Sequence, residues 1–291
     1  MSAAAQALRE RFHGNRVIRT VGAASCVRER GRFVLNEVRK ESSIRQYGLR
    51  DADLVVQIRH PLLDMWVLEE VFRFRVYDPP PEATRRLHAV GRPLRVVDLG
   101  GHIGLFALYA RTRFPVESTV SFEPNPENAR TLRACIEANG LGASWELVEA
   151  CAATDDGSVE FEASFHLSRI ARPDEALEAM QESIGTALPY LKGTRLLETE
   201  RRQVEARDVF PYLADADLVK IDIEGGEWEI LDDPRLADLR ASAVVLEYHP
   251  SYTPHEDAER AVRGAFERAG YECGAPVPGE GRHDVMWAWR P

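Results

Sequence analysis

From Leu94 onward the chain alternates short apolar runs with longer stretches of helical period. Residues 94–99, 118–123 and 145–151 read as strands, with helices over 103–113 and 126–139 between them. Strands separated by helices predict an α/β fold with a parallel sheet covered on both faces. Ligands of such sheets collect outside the carboxyl ends of the strands. Apolar runs beginning at Leu218 and Val244 continue the pattern, followed by an amphipathic helix over Glu256 to Ala269 and a short strand at Tyr271 to Cys273. Asp284 to Trp289 reads as a closing strand, with Trp287 and Trp289 on one side as core or as a subunit contact.

Ahead of the alternating region, residues 53–59 read as a strand and Met65 to Phe72 as a short helix. Tyr77 to Pro81 is expected to be extended, because successive prolines block a helix, and to roof part of the ligand site. Residues 1 to about 50 are polar and arginine-rich. An amphipathic start over Ala3 to Phe12 predicts a helix, then an irregular lead-in that offers a homo-oligomer contact. The chain is thereby divided into an N-terminal extension, 1–92, and a ligand-binding domain, 93–291. Inside the latter, Phe165 to Glu205 interrupts the rhythm, with a helix expected over Asp174 to Tyr190. An insertion of this length is usually functional, and a substrate-covering lid based at Ser168 and Arg169 stands against a solvated decoration.

Composition narrows the partners. A 44% hydrophobic share over 291 residues supports a soluble core, and no run approaches the roughly 20 apolar residues of a membrane span. Met1 to Arg16 lacks a signal-peptide pattern, so a cytoplasmic protein with no membrane partner is expected. The 4 cysteines contain no C-x-x-C pair, which argues for reduced thiols and against a zinc or disulfide framework. A net charge of -10 disfavours a polyanion-binding surface, so a small-molecule substrate is expected in place of nucleic acid.

The chemistry centres on Asp98-Leu99-Gly100-Gly101-His102-Ile103-Gly104, where a strand passes through glycines into a helix start. These glycines do not follow the G-x-G-x-x-G spacing of a dinucleotide site. A carboxylate two residues before the first glycine would also repel a pyrophosphate. It suits a ligand with an amino group and no phosphate, such as S-adenosylmethionine. Glu123 ends the second strand, where an acid that hydrogen-bonds ribose hydroxyls is expected; its alternative role is to cap the helix opening near Pro126. The small residues around Ala152 admit an adenine ring or ordinary close packing.

A second cluster follows. Strand alternation sets Asp222 and Glu224 on one side at a strand end, and Gly225-Gly226 permits a sharp turn. Glu247 and His249, two residues apart, share a side on the next strand.

Taken together, Asp98 to Gly104, Phe122 to Asn128, Ala152 to Gly157 and Val219 to Leu231 resemble the FkbM-type family of S-adenosylmethionine-dependent methyltransferases. The resemblance implies a Rossmann-like class I methyltransferase fold: a mostly parallel seven-stranded sheet flanked by helices. It implies that Asp98, Gly100 and Gly104 hold the methionine part of the cofactor, Glu123 the ribose, and Asn125 the adenosine, with Asp222 beside the sulfonium. His102 stands where the family typically has Asn, at the same cofactor-binding turn. The acceptor implied is a hydroxyl of a sugar or natural-product intermediate.

Three uses of the second cluster remain open. His249 is a candidate general base oriented by Glu247, since imidazole titrates near neutrality, or else it caps a strand end. Asp222, Glu247 and His249 form an O/O/N set that suits Mg²⁺ or another divalent ion. Asp222, Glu224, Glu227 and Glu247 form an acidic pocket for an amine or guanidinium acceptor, making an N-methyltransferase, or else they are acids at a helix N-terminus. Outside this class, a nicotinamide-dependent oxidoreductase would need a third spaced glycine and a tyrosine–lysine or cysteine pair, which no stretch supplies. A cofactor-binding scaffold without activity is disfavoured by the intact acids at 98, 123 and 222.

Overall fold

The computed structural model describes residues 16–39, 41–61, 64–163, 169–170, 200–278 and 283–291. Ala3 to Phe12, Ser168 and the helix expected over 174–190 lie outside the described residues.

The N-terminal region is more regular than its polar composition suggests. Helices Arg16–Ala24 and Arg30–Arg39 lead into an antiparallel pair, β1 (Ser43–Gly48) and β2 (Val55–His60). A short helix, Asp64–Leu68, then widens into a π-helical turn, Glu69–Phe74. Pro80 is extended as expected, but Pro81 opens a helix, Pro81–Ala89, that the proline run concealed. A proline is tolerated there because the first helical N–H has no intrahelical partner. Phe33, Leu49, Ile58 and Leu68 are buried in one cluster with Leu94 and Val245 of the main sheet. At roughly 1.5–3 kcal/mol for each fully buried large side chain, this packing fixes the N-terminal region onto the sheet.

Strands β3 (Leu94–Leu99), β4 (Val116–Phe122) and β5 (Trp145–Val148) run parallel, joined by helices Leu105–Arg113 and Pro126–Ala138. The strand expected over 145–151 breaks in two: after β5 the chain changes sheet and forms β6 (Cys151–Ala153). Hydrophobicity alone does not encode which partner a strand takes. β7 (Gly157–Ala163) pairs antiparallel with a two-residue β8 (Arg169–Ile170) and with β9 (Glu200–Asp208), and β9 also pairs in parallel with β6. The end of the expected insertion is therefore a strand. Its run of Glu200, Arg201, Arg202 and Gln203 hid it, with only Val204 and Ala206 as apolar positions.

The chain then re-enters the main sheet as β10 (Leu218–Ile221) and β11 (Ala243–Tyr248), both parallel to β3. β12 (Glu272–Cys273), β13 (Val277–Pro278) and β14 (Asp284–Trp289) complete it. The continuous order is β12-β14-β11-β10-β3-β4-β5, with β13 beside β14. β14 is antiparallel to β11, so the seven-strand path is mostly parallel with a reversed strand near one edge. Strand order reverses between β3 and β10, which makes their carboxyl ends the topological switch point where α/β sheets bind ligands.

Two buried clusters cover the sheet. Along β3, Leu94 and Val96 face one and Val97 and Leu99 the other, as the two-residue period of a strand requires. Trp287 and Trp289 belong to the first cluster as core. Cys26, Cys135 and Cys151 are buried free thiols and Cys273 is half-buried. No described helix is long and apolar enough to cross a membrane.

Candidate active site

The turn after β3 depends on glycine where it meets the turn after β10. Gly100 has φ +84°, and a Cβ there would lie 1.8 Å from the carbonyl oxygen of Asp222. No other residue admits that approach. His102 also has positive φ, 49°. It is held by its N–H, which donates to Glu123 Oε2 at 2.8 Å.

Glu123 acts as the clamp of this turn. Its Oε1 accepts the N–H of Asn125 at 2.8 Å and Asn128 Nδ2 at 3.3 Å. The helix cap is Asn125, whose side chain accepts from the N–H of Glu127 at 3.0 Å, so the capping role considered for Glu123 belongs to its neighbour. Arg59 closes the ring: its Nη1 donates to Asn128 Oδ1 at 2.8 Å and its Nη2 lies 3.1 Å from His102 Nε2. Asp64 holds Arg59 through three bonds of 2.7–2.9 Å. Burial lowers the His102 pKa to about 4, leaving a neutral ring, and raises that of Glu123 to about 7 against its N–H donors.

Asp98 is fully buried on β3, opposite Lys220 of β10 in the parallel register. Lys220 Nζ lies 3.4 Å from Asp98 Oδ1 and 3.1 Å from Asp222 Oδ2, and donates to the Gly100 carbonyl at 2.7 Å. Burial works against the Lys220 charge, but the two aspartates overcome it and its pKa is raised. Burial pushes Asp98 up to about 6. Burial pushes the Asp222 carboxyl up, but Lys220 and His249 together outweigh it and hold the group below its usual range.

The second cluster assembles where the turns after β10 and β11 meet. Glu224 takes φ +53° and Gly225 φ +99°, which turns the chain back on itself. Glu227 is fully buried and joins the two turns. Its Oε2 accepts the Gly225 N–H at 2.6 Å, and its Oε1 accepts the His249 N–H at 2.9 Å and lies 3.1 Å from His249 Nδ1. His249 Nε2 lies 3.2 Å from Glu224 Oε2. Glu227 therefore orients His249, the role expected for Glu247. Glu247 instead accepts the Tyr77 hydroxyl at 2.6 Å and lies 3.4 Å from His283 Nε2.

Proton affinities follow from this crowding. Burial opposes a charge on His249, but Glu224 and Glu227 outweigh it and raise its pKa well above the ordinary value, so the ring is protonated at neutrality. Burial raises Glu224 and Glu247 to about 7. The carboxylates beside His249 favour its protonated form, and Glu224 is a half-buried carboxylate poised near neutrality.

Asp222, Glu224, Glu247 and His249 thus converge, with Asp98, Gly100, His102 and Gly104 on the adjoining turn. Ala152 lies in β6, packed with the apolar cluster that contains Leu99, Phe122 and Leu213. Sequence reasoning missed Lys220, Arg59 and His283. A lysine inside Leu218-Val219-Lys220-Ile221 and an arginine inside Val56-Gln57-Ile58-Arg59 were signals, since charged residues inside apolar strands are rarely buried without partners. His283 carried no signal.

S-adenosylmethionine fits these residues on two observations. Ionised Glu123 offers about four acceptor positions, and three N–H donors occupy its oxygens, which leaves room for a hydroxyl. Asp222, Glu224, Glu227 and Glu247 outnumber Lys220 and His249, an excess of acidic groups suited to ammonium and sulfonium groups.

Comparison with known proteins places this geometry. Residues 98–273 match the family described as the Methyltransferase FkbM domain. The chain belongs to the FkbM methyltransferase family. Similar relatives are Methyltransferase 1 of Beauveria bassiana (strain ARSEF 2860), 24% identical over 57% of this chain and 65% of its own length, and Methyltransferase sdnD of Sordaria araneosa, 25% identical over 54% and 67%. The match therefore spans about two thirds of each relative. Among solved structures, Methyltransferase FkbM from Methylobacillus flagellatus KT has a TM-score of 0.43 at 15% identity, covering 77% of this chain and 54% of its own. The SAM-dependent methyltransferase from Agrobacterium tumefaciens has a TM-score of 0.45 at 13% identity, covering 87% and 72%. The family match includes the glycine turn, Glu123 and the second cluster as far as His249; Arg59, Tyr77 and His283 lie outside it.

Proposed function

We propose that this FkbM-family member transfers a methyl group from S-adenosylmethionine to a hydroxyl of a small molecule, of the sugar or natural-product kind that the family resemblance implies. One observation carries the reading: a cluster of carboxylates, in excess over its cations, lies against a glycine turn at the switch point of the sheet. Family membership favours this over the oxidoreductase and scaffold readings.

When bound, S-adenosylmethionine supplies an activated methyl group on a positively charged sulfur. Glu123 and the turn from Gly100 to Gly104 would hold its ribose and methionine ends, with Asn125 near the adenosine and Asp222 beside the cation. Lys220 keeps Asp222 ionised and fixes the carbonyl of Gly100. Glu224 accepts the proton of the acceptor hydroxyl: its pKa of about 7 sits near the working pH, where a general base is most effective. Its left-handed backbone is also the kind of local strain that clusters at functional sites. Holding the acceptor in line supplies the rest, a proximity effect.

The acidic excess also favours a second reading, methylation of an amine, because carboxylates form charge-assisted hydrogen bonds to ammonium groups. Calorimetric titration of S-adenosylmethionine into the protein, followed by methyl transfer to parallel panels of hydroxyl and amine acceptors, tests both. Saturable binding with transfer to hydroxyls is expected. Transfer to amines alone moves the assignment to the second reading, and no binding ends both.

A further inference from the structure

The methyl-transfer reading leaves two imidazoles without a task. His249 directly follows β11 and His283 directly precedes β14, their rings 5.8 Å apart, with Glu247 at the end region of β11 beside them. Glu247, His249 and His283 each present a donor atom, all within 4.8 Å of one another; Asp222, Glu224 and His249 form a second such group.

We propose that Glu247, His249 and His283 bind a divalent first-row transition-metal ion beside the acceptor position, with Asp222 and Glu224 bordering its open side.

Geometry, donor chemistry and support all point this way. Ligands about 2.0–2.2 Å from a shared ion stand roughly 3–4 Å from each other, and His283 Nε2 and Glu247 Oε1 are 3.4 Å apart. Two imidazoles with one carboxylate suit Mn²⁺, Fe²⁺, Co²⁺ or Zn²⁺, whereas Mg²⁺ and Ca²⁺ take oxygen ligands. The Mg²⁺ set expected from sequence, Asp222 with Glu247 and His249, is thereby replaced by a nitrogen-richer one.

The partners behind these ligands are those a metal centre uses. A metal-bound histidine generally gives its other ring N–H to a carboxylate, which fixes the tautomer. Glu227 occupies that position at His249 Nδ1, fully buried and locked by two backbone N–H groups. Nε2 is thereby aimed at the cluster. Tyr77 likewise donates to the outer oxygen of Glu247 at 2.6 Å and leaves Oε1 facing His283.

Charge supports the same occupant. Asp222, Glu224, Glu227 and Glu247 surround the two imidazoles, four carboxyl groups against Lys220, which pairs with Asp222, and the imidazoles themselves. His249 Nε2 lies 3.2 Å from Glu224 Oε2, so an ion held at Nε2 has a carboxylate beside it. Binding of a metal to an imidazole nitrogen releases any proton that it carries.

The test loads the full chain, stripped with chelator, with Co²⁺ and follows its visible ligand-field absorption, while proton release is recorded in weak buffer. One equivalent of Co²⁺ per chain, displaced by Zn²⁺ and not by Mg²⁺, is expected. His283→Gln should abolish the spectrum with circular dichroism unchanged, and Glu227→Gln should weaken Co²⁺ binding by roughly 10–100-fold. Glu123→Gln, in the other turn, should leave it intact. A featureless titration, or binding unaltered in both His283→Gln and Glu227→Gln, overturns the proposal. Titrating S-adenosylmethionine into the same stripped and loaded samples keeps the outcomes separate, because cofactor binding without metal overturns only this site, and metal without cofactor overturns only the methyl-transfer reading.

Discussion

The turns after β3 and β10 are built from the same materials, glycine, acid and positive φ, yet they differ in what their carboxylates do. Around Glu123 most of the acid's capacity is spent internally, with room left for one hydroxyl: three N–H donors and the ring through Arg59 and Asn128 hold the glycine turn. Around Glu224 the acids face one another and two imidazoles, with Lys220 to offset them. The first region is rigid because its charges are answered. The second has charge left for a cation and a proton acceptor. A carboxylate in a glycine turn can therefore be scaffold or chemistry, and its donors tell which.

The largest effect should separate these roles directly. Glu224→Gln removes the proposed base and should slow methyl transfer by roughly 10²–10⁴-fold, with little change in cofactor affinity measured by calorimetry. In the unaltered protein, turnover should rise with pH through about 7 as Glu224 loses its proton; the variant should show a flat profile in that range. Stability should move the other way. A carboxyl whose folded pKa exceeds its unfolded value of about 4.3 binds more protons when folded. Its contribution is full below that value and is lost as pH rises through about 7. Thermal unfolding of the two proteins across this window should show the difference.

Lys220→Met comes next. It leaves fully buried Asp98 and half-buried Asp222 without their shared cation, and breaking a buried pair costs about 3–5 kcal/mol. A fall in melting temperature larger at pH 8 than at pH 5 is expected, because protonation relieves the stranded aspartates. An unchanged melting temperature would show that the two turns do not depend on this cation.

Glu123→Gln is the smallest of the three. A neutral amide still accepts at one oxygen but turns a donor toward groups that are themselves donors, at about 1–3 kcal/mol for a buried group left unsatisfied. Amide hydrogen exchange should accelerate at His102 and Asn125 and leave the turn at Glu227 unaffected. Faster exchange in both turns would break the distinction between them.

The sequence carried the sheet better than the site. β3, β10, β11 and β14 were legible because buried strands are apolar in runs or in alternation, and the acids at 98, 123, 222 and 247 stood at their ends. β9 escaped because a strand of a small, exposed sheet needs few apolar residues; Val204 and Ala206 sufficed. The site was legible only as far as chain neighbours reach. His249 was read with Glu247, two residues away, whereas the turn at Gly225 brings Glu227 to it from the start of the helix that follows β10, 22 residues earlier. Tyr77 reaches Glu247 across 170 residues. No periodicity encodes such pairings, because they are set by the order of strands in the sheet.

That order also decides how residues enter the site. The parallel strands β3, β4, β10 and β11 bring their finishes to the working edge. β14 runs in reverse, so Asp284 pairs with Tyr248 and the strand delivers its beginning there, with His283 just ahead of it. His283 thus enters the cluster from a strand's start, while Val285 to Trp289 behind it are buried in the core.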